Sequence, residues 1–133
     1  DGLHALGANL RLVKGAYKES PQVAFPEKSA VDENYIKIIQ KHLLNGHYTA
    51  IASHDEAIIH FTKEFVSSNR ISIEQFEFQM LYGICEDLQK QLVKEGYRVR
   101  VYVPYGVDWF GYFMRRLAER PANVWFVLKN MFK

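Results

Sequence analysis

Two arginines stand side by side in the stretch Tyr112-Phe-Met-Arg-Arg-Leu-Ala-Glu119, at positions 115 and 116. A guanidinium is a planar fork of donors that takes a carboxylate or a phosphate through two parallel bonds. The stretch reads as a helix ending near Pro121, so the adjacent arginines project about 100° apart. Tyr112 lies three residues before Arg115 and Glu119 four after it, which sets the three along one side of that helix. Glu119 can then fix the fork that grips the acid. The plain alternative is a solvated helix carrying an ordinary i,i+4 ion pair.

Further chemically capable residues recur where predicted strands end. Arg11 and Lys14-Gly15-Ala16-Tyr17 belong to one such exit, Ser53-His54-Asp55 to a second, Leu81-Tyr82-Gly83 to a third, and Tyr102 with Pro104-Tyr105-Gly106 to a fourth. Ser53 and His54 precede a helix, where backbone N–H groups favour anions, although a simple N-cap needs the same residue types. In sheets of parallel strands the ligand site lies at the strands' C-terminal ends.

The elements that must position these residues follow from periodicity. Residues 1–6 read as the end of a helix closed by Gly7, and residues 8–13 as a strand. Residues 18–30, with Pro21 and Pro26, read as a long loop. Asp32 is expected to cap a helix with Ile36, Ile39, Leu43 and Leu44 on its apolar face. A strand over 48–52, a helix carrying Ile58, Ile59, Phe61, Phe65 and Val66, and a strand over 76–80 come next. A helix over 86–95 with Leu88, Leu92 and Val93 inward and a strand over 98–103 complete the pattern, followed by helices over 109–120 and 122–132. Short strands alternating with helices imply parallel pairing through right-handed crossovers. Two α/β architectures fit: a small open doubly wound sheet, or four βα units of an eight-fold barrel, which normally needs ~250 residues.

Composition narrows the function classes. The 133 residues are 48% hydrophobic and 24% charged, ordinary for one globular domain. A net charge of +2 argues neither for a nucleic-acid binder nor for a membrane-surface protein, and no apolar run approaches the ~20 residues of a membrane span. The single cysteine, Cys85, precludes an internal disulfide framework and reads as helix packing. GxGxxG, P-loop, CxxC, HExxH and GxSxG patterns are all absent. His54 lacks a metal-ligand partner at useful spacing, and His42 and His60 fall on helices with an exposed position expected.

Four segments together carry a resemblance. Arg11-Leu-Val-Lys-Gly-Ala-Tyr17, Phe76-Glu-Phe-Gln-Met-Leu-Tyr-Gly83, Tyr102-Val-Pro-Tyr-Gly106 and Tyr112-Phe-Met-Arg-Arg-Leu-Ala-Glu119 closely resemble the proline dehydrogenase family, in order and at the right spacing across almost the whole chain. The resemblance is nearest to the bacterial single-activity enzymes. It implies a (β/α)8 TIM-type barrel of which residues 1–133 are the second half, strands five to eight. It implies FAD as cofactor, oxidation of L-proline to 1-pyrroline-5-carboxylate, and a membrane quinone as electron acceptor. A cytoplasmic location with peripheral membrane association goes with that acceptor.

The resemblance also assigns roles. Arg11 corresponds to a cation beside flavin N5. Lys14, Gly15 and Ala16 correspond to a loop passing the flavin, Lys28 to a pyrophosphate contact, and Ser53 and His54 to contacts with phosphate or ribose oxygens. Tyr17, Tyr102 and Leu81 correspond to pocket walls, Arg115 and Arg116 to the carboxylate clamp, Glu119 to its ion-pair partner and Tyr112 to the residue that closes the pocket. Where some relatives carry Trp after the tyrosine, this chain has Lys18. A lysine, an aspartate and a glutamine of the family site belong to the first half of the barrel. The expected partners of this chain are therefore that missing half or a second copy of itself. The alternative is a non-catalytic α/β ligand-binding or scaffold domain that keeps the barrel rim.

Overall fold

A computed structural model of the chain describes residues 2–15, 20–108 and 111. Of the expected helices over 109–120 and 122–132, all but Gly111, which is helical, lies outside the described residues. So do six of the candidate site residues: Ala16, Tyr17, Tyr112, Arg115, Arg116 and Glu119.

A short helix α1 (Gly2–Ala5) leads into β1 (Leu10–Val13), α2 (Lys28–Leu44), β2 (Thr49–Ala52), α3 (Glu56–Ser68), a 3-10 turn (Ile73–Gln75), β3 (Phe76–Leu81), α4 (Glu86–Lys94) and β4 (Val99–Tyr102). The strands form one four-stranded sheet in the order β1-β2-β3-β4, and every pairing is parallel. This order discriminates between the two architectures. A doubly wound sheet reverses its strand order at a switch point and carries helices on both faces. Sequential order with crossovers of one hand puts every helix on the same face, as in a barrel.

Packing agrees. Ile51, Phe76, Phe78 and Met80 from the strands share one core with Tyr35, Ile39 and Leu43 of α2, Ile58, Ile59 and Val66 of α3, and Leu92 of α4. In the register Leu12, Ile51, Phe78 and Val99 line up across the sheet, so this row faces the helices. The intervening positions, Arg11, Val13, Ala50, Ala52, Glu77, Gln79 and Arg100, turn to the opposite face, because side chains alternate with period two. A parallel sheet is normally apolar on both sides. Here one side is apolar and the other mixes Arg11, Glu77, Gln79 and Arg100 with small apolar residues.

The helices differ from expectation in detail. Helix α2 starts four residues before Asp32, with Glu27 at its N-cap. Asp32 is instead drawn into ion pairs with Lys14 and Lys28. Leu44 and Val93 are 60% and 58% exposed and do not join the inward faces. Each is the residue next to a fully buried leucine, Leu43 or Leu92, and a helix turns its neighbour away by about 100°. His42 is buried rather than exposed, whereas His60 is exposed and lies against Glu64. Cys85 sits just before α4 in a left-handed conformation, φ 53°, rather than inside the helix.

Candidate active site on the helix-free face

The polar face begins with Glu77, a carboxylate near the start of β3 whose side chain is almost fully buried. A buried carboxylate survives only when its lone pairs are occupied, and here both oxygens are. Arg100 on β4 grips it with two parallel bonds, Nε to Oε1 at 2.7 Å and Nη2 to Oε2 at 2.9 Å. The Tyr48 hydroxyl donates to Oε2 at 2.9 Å and the Gln79 side-chain amide to Oε1 at 2.6 Å. Arg100 above all, and the Gln79 and Tyr48 donors with it, hold the Glu77 carboxyl down at about 2 against the opposing effect of burial. Burial and the adjacent Glu77 charge push the Tyr48 hydroxyl up.

Gln79 carries the network toward β1. Its amide oxygen accepts from Arg11 Nε at 2.6 Å. Arg11 lies on β1 and Gln79 on β3, two strand spacings or about 10 Å apart along the sheet. The span is possible because β2 presents only Ala50 and Ala52 between them. Arg11 is therefore a partly solvated cation held by its inner nitrogen over a floor of two alanines.

Around the strand exits the other candidates are placed as follows. Lys14 reaches Asp32 of α2 at 2.5 Å and Asp55 at 2.7 Å, tying the end of β1 to both neighbouring helices. Partial burial works against the charge on both aspartates, but Lys14 and Lys28 together, with the Ala57 N–H at Asp55, outweigh it and both carboxyls titrate below their ordinary value. Asp55 also caps α3 by accepting from the Ala57 N–H at 3.0 Å. Gly15 follows with φ 79° and open space around it, a left-handed conformation that glycine adopts without strain. Lys28 is exposed and bonds Asp32 across one helical turn.

Ser53 and His54 stand at the end of β2, immediately before the α3 cap, as expected. Both also serve the fold. Ser53 Oγ accepts from the Asp55 N–H at 3.1 Å, and His54 Nε2 accepts from the Leu81 N–H at 2.8 Å. That bond puts the imidazole proton on Nδ1, and burial keeps the ring's titration below the usual histidine range. His54 thereby braces the end of β3, where Leu81 and Tyr102 are register partners on adjacent strands. Gln89 of α4 closes the same corner, donating to the Leu81 and Ile84 carbonyls at 3.2 and 2.7 Å.

Of the sequence-predicted residues, the structure thus gathers Lys14 with Lys28, His54 with Leu81, and Leu81 with Tyr102. By the alternation of β3 and β4, Leu81 and Tyr102 share the polar face with Arg11, which lies earlier along its strand, opposite Ala50. The sequence reading missed Glu77, Gln79, Arg100 and Tyr48. The signal was present in Phe76-Glu-Phe-Gln-Met80, where the polar positions alternate with the core phenylalanines. Among the described residues, no group of three metal-ligating side chains converges.

Comparison with known proteins fits this arrangement. A family model described as proline dehydrogenase matches residues 4–129. The chain is 65% identical over 133 residues to proline dehydrogenase 2 of Bacillus subtilis (strain 168), covering 100% of this chain and 44% of that protein. It is 56% identical over 131 residues to proline dehydrogenase of Deinococcus radiodurans, covering 98% and 42% respectively. A crystal structure of proline utilization A (PutA) from Bdellovibrio bacteriovorus, inactivated by N-propargylglycine, superposes with a TM-score of 0.75 at 34% identity over 84% of this chain and 13% of the other. The chain thus spans less than half the length of the curated relatives it matches, and its sheet is part of a TIM-type barrel. On its sequence match over nearly every residue and its sequential parallel sheet, the chain belongs to the proline dehydrogenase family.

Proposed function

We propose that this chain is the second half of the barrel, strands five to eight, of a proline dehydrogenase that oxidises L-proline to 1-pyrroline-5-carboxylate with FAD as cofactor and a membrane quinone as final acceptor. The observation that carries this reading is Arg11, a cation anchored on the sheet face that no helix of the described residues covers, in a chain that matches the family over residues 4–129.

The residues present fit a flavin in part. Arg11 offers positive charge above a flat floor of alanines, and Gly15 leaves backbone free to approach a ligand. Lys14 and Lys28 enter with their ammonium groups already shared with aspartates, so their pull on a pyrophosphate is weakened. A bound flavin would supply the oxidising chemistry, a hydride acceptor. The chain's own work is positioning. Arg115 and Arg116 hold the carboxylate, Glu119 pairs with one of them, and Tyr112, Tyr17, Tyr102 and Leu81 wall the ring and exclude water. That grip would turn the ring carbon that gives up hydride toward its acceptor. Arg11 stabilises the negative charge that follows.

The test uses the full-length protein. It is expected to be yellow and to bleach when L-proline is added. Arg115→Met or Arg116→Met is expected to raise the proline KM by roughly 30- to 1,000-fold, the loss of a charge-assisted contact worth ~2–4 kcal/mol. An unchanged KM in both variants removes the clamp assignment. A second reading, a non-catalytic scaffold, draws on the internal bonds of Lys14, Ser53 and His54. Full-length protein that stays colourless with added FAD selects it.

A further inference from the structure

We propose that Gln79 is a positioning residue for Arg11, and that Glu77 with its partners Arg100 and Tyr48 is the fixed base that orients Gln79. The inference rests on the flavin reading above. An amide can present either end to a neighbour, and the neighbours decide which. Glu77 is ionised and accepts only. The Gln79 NH2 therefore turns to Glu77 and its oxygen turns to Arg11. A rotated amide would set oxygen against carboxylate and NH2 against guanidinium, two repulsive contacts in place of two attractive ones.

The base itself is over-determined. Glu77 receives two bonds from Arg100, one from Tyr48 and one from Gln79, and is 5% exposed. It cannot swing without breaking four bonds. Arg11 is held through Nε, the nitrogen nearest its own backbone. The bond leaves the outer pair of nitrogens out of account, so the fork can present two donors to an anion while its stem is clamped. An unclamped arginine over two alanines has several rotamers, and that freedom is lost when it meets the anion. Gln79 removes part of that cost in advance.

The experiment uses the full-length FAD-bound protein and sulfite, an anion that adds to oxidised flavin and whose binding strengthens with positive charge at the site. Gln79→Met, of similar volume, is expected to weaken sulfite binding about tenfold, as for one lost charge-assisted bond, and to move the flavin midpoint potential to a more negative value. The same variant should lower kcat while proline KM stays within about twofold, because the carboxylate grip lies elsewhere. Gln79→Asn keeps an amide but is one methylene too short to bridge, so it should shift in the same direction. Arg11→Met should weaken sulfite at least as much, and adding Gln79→Met to it should cost nothing further, because coupled residues are not additive. A yellow Gln79→Met protein with unaltered sulfite affinity overturns the inference and leaves the flavoenzyme reading standing. Full additivity in the double variant does the same. Wild-type protein that is colourless with FAD overturns both.

Discussion

A buried carboxylate on an inner parallel strand is the residue-scale fact that most constrains this protein. Glu77 is tolerated because Arg100, Gln79 and Tyr48 occupy its oxygens. Its folded titration, about 2, lies below its ordinary 4.5. A depressed carboxyl contributes stability above the unfolded value and loses it as pH falls through the folded one. Full-length wild type should therefore lose this contribution between about pH 4.5 and 2, and Glu77→Gln should lack that part of the slope. Acid titration of both, followed by circular dichroism, is the check, and superimposable slopes would count against it. The alanines matter for a different reason. Ala52→Leu places a branched side chain in the path from Arg11 to Gln79. Arg11 must then leave Gln79, so sulfite affinity should fall as in Gln79→Met, while FAD is retained.

At the scale of elements, polar side chains join strand ends to the helices above them. The Tyr35 hydroxyl, from α2, donates to the Leu12 carbonyl at 2.8 Å and approaches the Ala52 carbonyl at 3.4 Å, bridging β1 and β2 from the helix side. Burial pushes that hydroxyl's titration up, well beyond the usual tyrosine range. Tyr35→Phe should cost about 1–2 kcal/mol, since strand-end carbonyls lose a donor in a buried place. Urea unfolding of the full-length protein measures this, and a midpoint equal to wild type would refute it. Asp55 does two things, capping α3 and holding Lys14. Asp55→Ala should therefore cost more than the ~1 kcal/mol of a cap alone, whereas Asp55→Asn should keep the cap and lose only the ion pair. Equal midpoints for the two variants would show that the ion pair, not the cap, is what Asp55 contributes.

For the whole molecule, the sheet's open sides decide behaviour. Among the described residues β1 and β4 are the outer strands and each has one unpaired edge. Parallel edges of this kind invite pairing with another chain, and the polar face between them is covered by no helix of the described residues. The 133-residue chain on its own is expected to associate, with sedimentation showing dimers or larger species that decline with added urea. A stable monomer at the same concentrations would contradict that. The helix-covered side should not take part, because its apolar row is already buried against α2, α3 and α4.

The sequence by itself determined the alternation of strands and helices, most element boundaries and the family, because periodicity of apolar residues and linked motifs are local properties. It missed the start of α2, for a specific reason: Asp32 looks like a cap, yet its carboxylate is claimed by Lys14 and Lys28, and Lys14 lies in a different element. It also placed Leu44 and Val93 inward, since an apolar residue beside a buried one reads alike on either face. Only the tertiary structure decided what Arg11 touches. Strand register and order place β1, β2 and β3 side by side, and neither is written in any one strand. That arrangement turns an arginine, two alanines, a glutamine and a glutamate from separate segments into one connected surface, because a hydrogen bond depends on distance in space and not on distance along the chain.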